Sequence, residues 1–254
     1  MAKIFCIANQ KGGVGKTTTT VNLAAGLTKV GKRVLMVDLD PQGNATMGSN
    51  IDKRNMKLTV YDVLLESATI KEAKIHSELC GYDVLGANRE LAGAEVELVD
   101  LERREMRLKK ALEAVQADYD FVLIDCPPSL SMLTLNGLCA ANGVIVPMQC
   151  EYFALEGLTD LVNTIKQVHA NLNKELSIIG LLRVMYDPRI TLQVQVANQL
   201  KDHFGNKVFD TVIPRNVRLA EAPSYGQPGV TFDPQAKGSI AYLEFASEMV
   251  NRII

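Results

Sequence analysis

The chain has 254 residues, 47% of them hydrophobic and 22% charged, with a formal net charge of -2 at pH 7. That length and composition fit one large α/β domain, read here as spanning 1–254, and exclude a low-complexity or disordered chain. The small net charge supplies no global attraction to nucleic acid or to an anionic membrane, so any DNA binding needs a local basic patch.

A first apolar run at 4–8 follows Met1 almost directly, without the apolar core and cleavage site of a signal peptide. A helical pattern at 15–29 comes next, and Gly31 stands where a helix-terminating glycine belongs. Further apolar runs at 34–37, 121–124, 144–146, 178–182 and 208–213 are mostly continuous rather than alternating. Continuous runs of that length predict parallel strands buried on both faces. Helical patterns at about 102–117, 128–141, 155–170 and 190–204 lie between them. The segment 44–105 is the least regular, with short helix-like pieces and a strand expected at 82–85. The final stretch, 239–254, spaces Ile240, Leu243, Ala246, Met249, Val250 and Ile253 along one helical face, which predicts an amphipathic helix packed on the sheet. Strand followed by helix, repeated, predicts a doubly wound, mostly parallel sheet with helices on both faces. No apolar run reaches membrane-spanning length, and a cytoplasmic location is expected. The five cysteines, Cys6, Cys80, Cys126, Cys139 and Cys150, have no metal-ligand spacing and are expected as reduced thiols, those in apolar runs buried.

Three segments carry chemistry. After the first strand comes Lys11-Gly12-Gly13-Val14-Gly15-Lys16-Thr17-Thr18, and then a helix. Glycines let backbone N–H groups turn inward around phosphates, and the helix N-terminus adds partial positive charge. Lys16 is placed to reach β- and γ-phosphates, and the Thr17 hydroxyl to reach magnesium. The strict G-x-x-x-x-G-K-[ST] spacing is not met, because Gln10 replaces its first glycine. The second strand ends in Asp38-Leu39-Asp40-Pro41-Gln42-Gly43-Asn44, with two carboxylates at the edge of a parallel sheet where ligands bind. Either aspartate could instead cap the helical piece that starts near Asn44. Phe121-Val122-Leu123-Ile124-Asp125 has the form of a buried strand that delivers a carboxylate to a metal's outer shell.

Together these motifs resemble the deviant Walker A ATPases, P-loop NTPases in fold, and within them the ParA/Soj partition family. The resemblance covers nearly the whole chain and includes Ile213-Pro214-Arg215-Asn216-Val217-Arg218-Leu219-Ala220-Glu221-Ala222-Pro223. It implies a Mg-dependent ATPase in which ATP joins two subunits into a sandwich homodimer. The dimer holds double-stranded DNA without sequence preference, and hydrolysis stimulated by a ParB-like activator releases it. By the same resemblance Lys11 crosses the dimer to the other subunit's ATP, and Asp40 positions the attacking water. Lys16 and Asp125 complete the catalytic set. Asp38, Asp40 and Asp125 support magnesium through water while Thr17 binds it directly. Residues Lys11 to Thr18 wrap the phosphates, and Pro214 and Asn216 hold the base. Arg189 and Arg218 are the DNA candidates, in a stretch where Arg183, Arg189, Lys201, Lys207, Arg215 and Arg218 outnumber Asp187, Asp202 and Asp210 six to three. No membrane association is expected, and the location implied is the nucleoid within the cytoplasm.

Other readings use the same fold. A MinD-like membrane-cycling ATPase would end in a basic amphipathic helix, whereas 239–254 carries Glu244 and Glu248 against Arg252. An iron–sulfur reductase would need two well-placed cysteines per subunit, and the glycine-rich surroundings for them are missing. A pure ATP-dependent clamp would not need Asp40 for turnover.

Overall fold

The computed structural model describes residues 1–253, and Ile254, included in the predicted final helix, lies outside them. Strands β1 (Lys3–Ile7), β2 (Val34–Asp38), β3 (Ile75–Ser77), β4 (Tyr82–Leu85), β5 (Phe121–Asp125), β6 (Gly143–Met148), β7 (Ser177–Tyr186) and β8 (Val208–Pro214) form one sheet. Their order is β3-β4-β2-β5-β1-β6-β7-β8. All neighbours are parallel except β3 with β4. The expected architecture is therefore present, with one short antiparallel edge strand added.

The continuous apolar runs have a direct structural cause. In β1, Phe5 and Ile7 enter one buried cluster while Ile4 and Cys6 enter the other, and β5 divides the same way. Successive side chains of a strand point to opposite faces, so a strand covered on both sides must be apolar throughout. Helix α1 (Lys16–Lys29) and the final helix Lys237–Ile253 cover one face, through Leu23, Leu27, Tyr242 and Phe245. Helices Arg107–Glu113, Met132–Ala140, Ala154–Asn171 and Thr191–Phe204 contribute to the other cluster. Most of the apolar side of Lys237–Ile253 is thus occupied inside the protein, with Tyr242, Phe245, Ala246 and Met249 buried, whereas Ile240, counted on that face from sequence, is exposed. No helix among the described residues is long and apolar enough to cross a membrane.

Register places the chemistry. Strands β1, β5 and β2 lie side by side, with Ile7 opposite Asp125 and Asp125 opposite Asp38. The phosphate loop, the Asp38–Asn44 segment and the turn after Asp125 therefore emerge together at the carboxyl edge, where the chain switches direction across the sheet. All five cysteines are buried and unbridged.

Candidate functional site

The phosphate loop leaves β1 and enters α1 through Gly13 and Gly15, both with left-handed backbone (φ 74° and 78°), a conformation that glycine adopts without steric cost. Gly15 is the residue before the helix, and no side chain caps it. The first amides of α1 are left for a ligand, the arrangement that makes a helix N-terminus an anion site. A Cβ built on Gly12 or Gly13 would meet nothing within 4 Å, so this part of the loop borders open space instead of packed protein.

Lys16 lies at the floor of this loop, only 8% exposed, with its ammonium donating to the Lys11 carbonyl at 3.0 Å. Burial lowers its pKa, opposed by the nearby charge of Asp125. Thr17 donates its hydroxyl to Asp125 Oδ2 at 2.8 Å, and Thr20 donates to Asp125 Oδ1 at 2.9 Å. The two motifs that the sequence separates by more than a hundred residues are thus in direct contact.

Asp38 is fully buried beside them. Its Oδ2 accepts from the Thr46 amide at 2.9 Å and the Thr46 hydroxyl at 2.7 Å, and its Oδ1 accepts from the Asp40 amide at 3.0 Å. Asp38 thereby orders the loop and accepts from an amide inside helix Asn44–Met47; the helix cap itself is Gly43, so neither aspartate is the N-cap residue considered from sequence. Asp40 is only partly buried, and its Oδ1 accepts from the Gln42 amide at 2.9 Å. Burial pushes Asp38 up to about 6. Burial, and then the Asp38 charge, push Asp125 up to about 8. Two buried carboxylates in register cannot both ionise comfortably without a cation. Hydroxyl and carboxylate oxygens are the donor set of a hard ion such as magnesium. No group of three or more His, Cys, Asp or Glu side chains that could hold a metal occurs among the described residues. An ion here would draw most of its ligands from phosphate and water.

Lys11 is exposed on the rim and ion-paired with Glu151 of the same chain. Glu151 follows β6, and nothing in the sequence connects it to Lys11. Gln149, also unanticipated, donates Nε2 to the Gly13 carbonyl at 3.3 Å and contacts Met185 Sδ at 3.0 Å. Met185 has a left-handed backbone (φ 51°) and packs 3.9 Å from where a Cβ on Gly15 would lie.

A cavity of about 280 Å³ adjoins the loop, lined by Thr17, Thr18, Asn44, Met47, Pro223 and Gln227 among others. Pro214 and Asn216 are not among its lining residues. Pro214 ends β8, and the Asn216 side-chain carbonyl caps helix Val217–Glu221, accepting from the Leu219 amide at 3.3 Å.

The basic stretch is smaller than counted from sequence. Arg183 is a buried residue of β7 that donates Nη2 to the carbonyls of Phe209 at 2.9 Å and Asp210 at 3.1 Å, because β7 runs on to Tyr186 instead of stopping at 182. Arg189 is exposed but clasped by Asp187, and Arg218 pairs with Glu221 and Asp233. Arg215 is exposed and carries no ion pair among the described residues.

Comparison with known proteins adds the following. A family model described as an AAA domain matches residues 2–178. The sporulation initiation inhibitor protein Soj of Bacillus subtilis is 52% identical over 249 residues, 98% of each chain. The chromosome partitioning protein ParA of Caulobacter vibrioides is 51% identical over 252 residues, covering 98% of this chain and 94% of its own. A Mycobacterium smegmatis protein crystallised as cobyrinic acid a,c-diamide synthase with bound ADP and magnesium is 40% identical. It superposes with a TM-score of 0.87 over 99% of this chain and 95% of its own.

Proposed function

The chain belongs to the Soj/ParA family of chromosome-partitioning ATPases, and from that premise we propose that it is a Mg-ATP-dependent switch whose ATP-bound homodimer holds DNA without sequence preference. The observation that carries the reading is the contact of Thr17 with Asp125 beneath an open, glycine-lined phosphate loop whose second lysine, Lys11, sits outside on the rim. The bound ADP and magnesium of the M. smegmatis relative support the choice of cofactor.

Each residue has a task that follows from its place. Backbone amides of Gly12 to Thr18 face the phosphates, and Lys16 exchanges the Lys11 carbonyl for a phosphate oxygen. Magnesium supplies positive charge where charge develops on the transferring phosphoryl group. Thr17 would offer it a hydroxyl, with Asp125, Asp38 and Asp40 placed to hold its water. Asp40, partly exposed on a loop anchored by Asp38, orients the attacking water. Lys11 reaches a second subunit's nucleotide, a cation supplied in trans. Pro214 and Asn216 flank the base, and Arg189 and Arg218 meet phosphates of DNA after leaving their carboxylate partners. A ParB-like protein accelerates turnover, and the whole of 1–254 acts as one domain in the cytoplasm, on the nucleoid and off the membrane.

The test is ATP turnover with and without DNA and a ParB-like partner, alongside sizing of Asp40→Ala with ATP. Turnover that rises with both additions, and an Asp40→Ala dimer that persists, are expected. Unchanged ATP consumption by Asp40→Ala would remove that residue from the chemistry.

A further inference from the structure

We infer that Glu151 is a positioning residue that holds Lys11 on its own subunit and so opposes self-association until a triphosphate is present. This rests on the proposed role of Lys11 in trans and adds the device that regulates it.

The Lys11 ammonium is ion-paired with Glu151, 140 residues away in the same chain, and this is its one ion pair among the described residues. The two side chains are 54% and 46% exposed, so the pair lies at the surface and can open without disturbing the core. The backbone around it is fixed. Glu151 donates its amide to the Gln149 carbonyl at 3.0 Å and accepts at its own carbonyl from the Ala154 amide at 3.0 Å. Asn9 Nδ2 donates to the Pro147 carbonyl at 2.8 Å, and Gln149 reaches Gly13. The stretch Asn9–Gly13 and the chain from Pro147 to Glu151 are therefore joined at two backbone carbonyls besides the ion pair. What can move is the pair itself. Next to it Tyr152 and Phe153 stand 74% and 68% exposed, packed edge to face at 5.0 Å. An aromatic pair left uncovered beside a charged pair suits burial by a second copy of the chain, and that copy needs Lys11 released.

One ammonium cannot serve Glu151 and a partner's nucleotide together. A triphosphate carries several negative charges and outcompetes a single carboxylate, while a diphosphate offers less. An exposed ion pair is worth up to about fivefold in an equilibrium constant. A twofold dimer releases two such pairs, so their removal raises the association constant by up to about 25-fold.

The experiment is sedimentation velocity of the full chain with saturating magnesium and the non-hydrolysable analogue AMPPNP, comparing wild type, Glu151→Gln, Glu151→Asp and Lys11→Ala. Glu151→Gln is expected to dimerise between twofold and 25-fold more tightly, with the difference shrinking at high salt as ion pairs are screened. Glu151→Asp, which keeps the charge on a shorter arm, is expected to fall between. A Glu151→Gln dimer as weak as wild type or weaker, with melting temperature unchanged, overturns the inference. If Glu151→Gln fails to fold, Glu151→Asp decides alone, and wild-type association then overturns it. A Lys11→Ala chain that still dimerises defeats the reading of Lys11 itself. A monomeric Lys11→Ala beside an unaltered Glu151→Gln defeats only the role of Glu151.

Discussion

Replacing Asp125 by asparagine should make the nucleotide-free protein more stable in alkaline solution while weakening its response to Mg-ATP. Asp125 is fully buried, and its pKa is raised to about 8 by burial and by the Asp38 charge. In the unfolded chain the same carboxyl has an ordinary pKa near 4. The folded state therefore holds a proton that the unfolded state has lost. Stability from this group is complete below about pH 4 and declines as pH rises through 8, by about 1.4 kcal/mol per unit. Asp38, raised to about 6, adds to the slope only at the acid end, so pH 6 to 8 isolates Asp125. Across those two units wild type should lose about 2 kcal/mol from this source, because the folded group is half titrated at pH 8, roughly 4–9 °C in Tm for a chain of this size. Asparagine removes the titration but keeps the packing. Its carbonyl can accept from Thr17, and its amide can donate to Thr20, whose hydroxyl can turn to the Lys16 carbonyl 3.0 Å away. Thermal melts of both proteins from pH 4 to 9, with EDTA, should draw together toward pH 4 and separate progressively above it, with the change between 6 and 8 belonging to Asp125. Parallel curves would refute the idea that Asp125 carries an uncompensated buried charge. Adding Mg-ATP should rescue wild type at pH 8 far more than the variant.

Three shorter predictions follow the same reasoning. Lys16→Ala removes a buried ammonium whose partner is one carbonyl, so the nucleotide-free Tm should hold or rise while calorimetric ATP affinity falls about 10- to 100-fold, the worth of a charge-assisted hydrogen bond. Arg189→Glu and Arg218→Glu should weaken DNA retention in a salt-dependent manner and leave dimerisation intact by sizing; equal loss of both would make these arginines structural. Gly26→Ala would set a Cβ 2.9 Å from that of Ala246, forcing α1 away from the final helix and costing about 1–3 kcal/mol in chemical denaturation.

What the sequence disclosed and what it hid divide along physical lines. The central strands were legible because a strand covered on both faces must be apolar at every position; 82–85 was legible through its buried Tyr82, Val84 and Leu85 although Asp83 interrupts them, half-buried and paired with Lys74. Strand β3 was missed because it is three residues at the antiparallel edge with Ile75 and His76 exposed, leaving no pattern to read. Helices Val60–Leu64 and Ile70–Ala73 had a signal that went unused: Thr59 with Asp62 and Thr69 with Glu72 each form a reciprocal capping box. The helix expected at 102–117 is shorter because Arg103 takes a left-handed backbone and the α-helical turns begin only at Arg107. Arg183 looked like a surface cation, yet its neighbours Leu181, Leu182 and Val184 already marked a buried strand. The grouping of Thr17, Lys16 and Asp125 could be expected because phosphate chemistry fixes their local order. The contacts of Glu151 and Gln149 with the loop could not, because they exist only once β6 is placed beside β1.

That placement gives the chain's phosphate-facing cations a common electrostatic character. Lys16 rests on the Lys11 carbonyl, Lys11 on Glu151, Arg189 on Asp187 and Arg218 on Glu221 and Asp233. Every cation assigned to a phosphate, whether of ATP or of DNA, already has an oxygen partner within the chain. These side chains must therefore exchange partners when a phosphate binds, unlike the uncapped first amides of α1, and each exchange nets the difference between two oxygen contacts. Differences of that size are small for one group, since exposed pairs are weak. They become decisive only when several are exchanged together, as a symmetric dimer around two nucleotides would do. Asp125 runs opposite in sign: its neighbours are the Thr17 and Thr20 hydroxyls and the Asp38 carboxylate, so a magnesium ion brought with a nucleotide would offset their crowded negative charge. A polyanion alone would worsen the crowding of Asp38 and Asp125, so nucleotide without magnesium should bind weakly and fail to assemble the chain. Assembly by ATP in EDTA as strong as with magnesium would show that the buried carboxylates play no part in the switch.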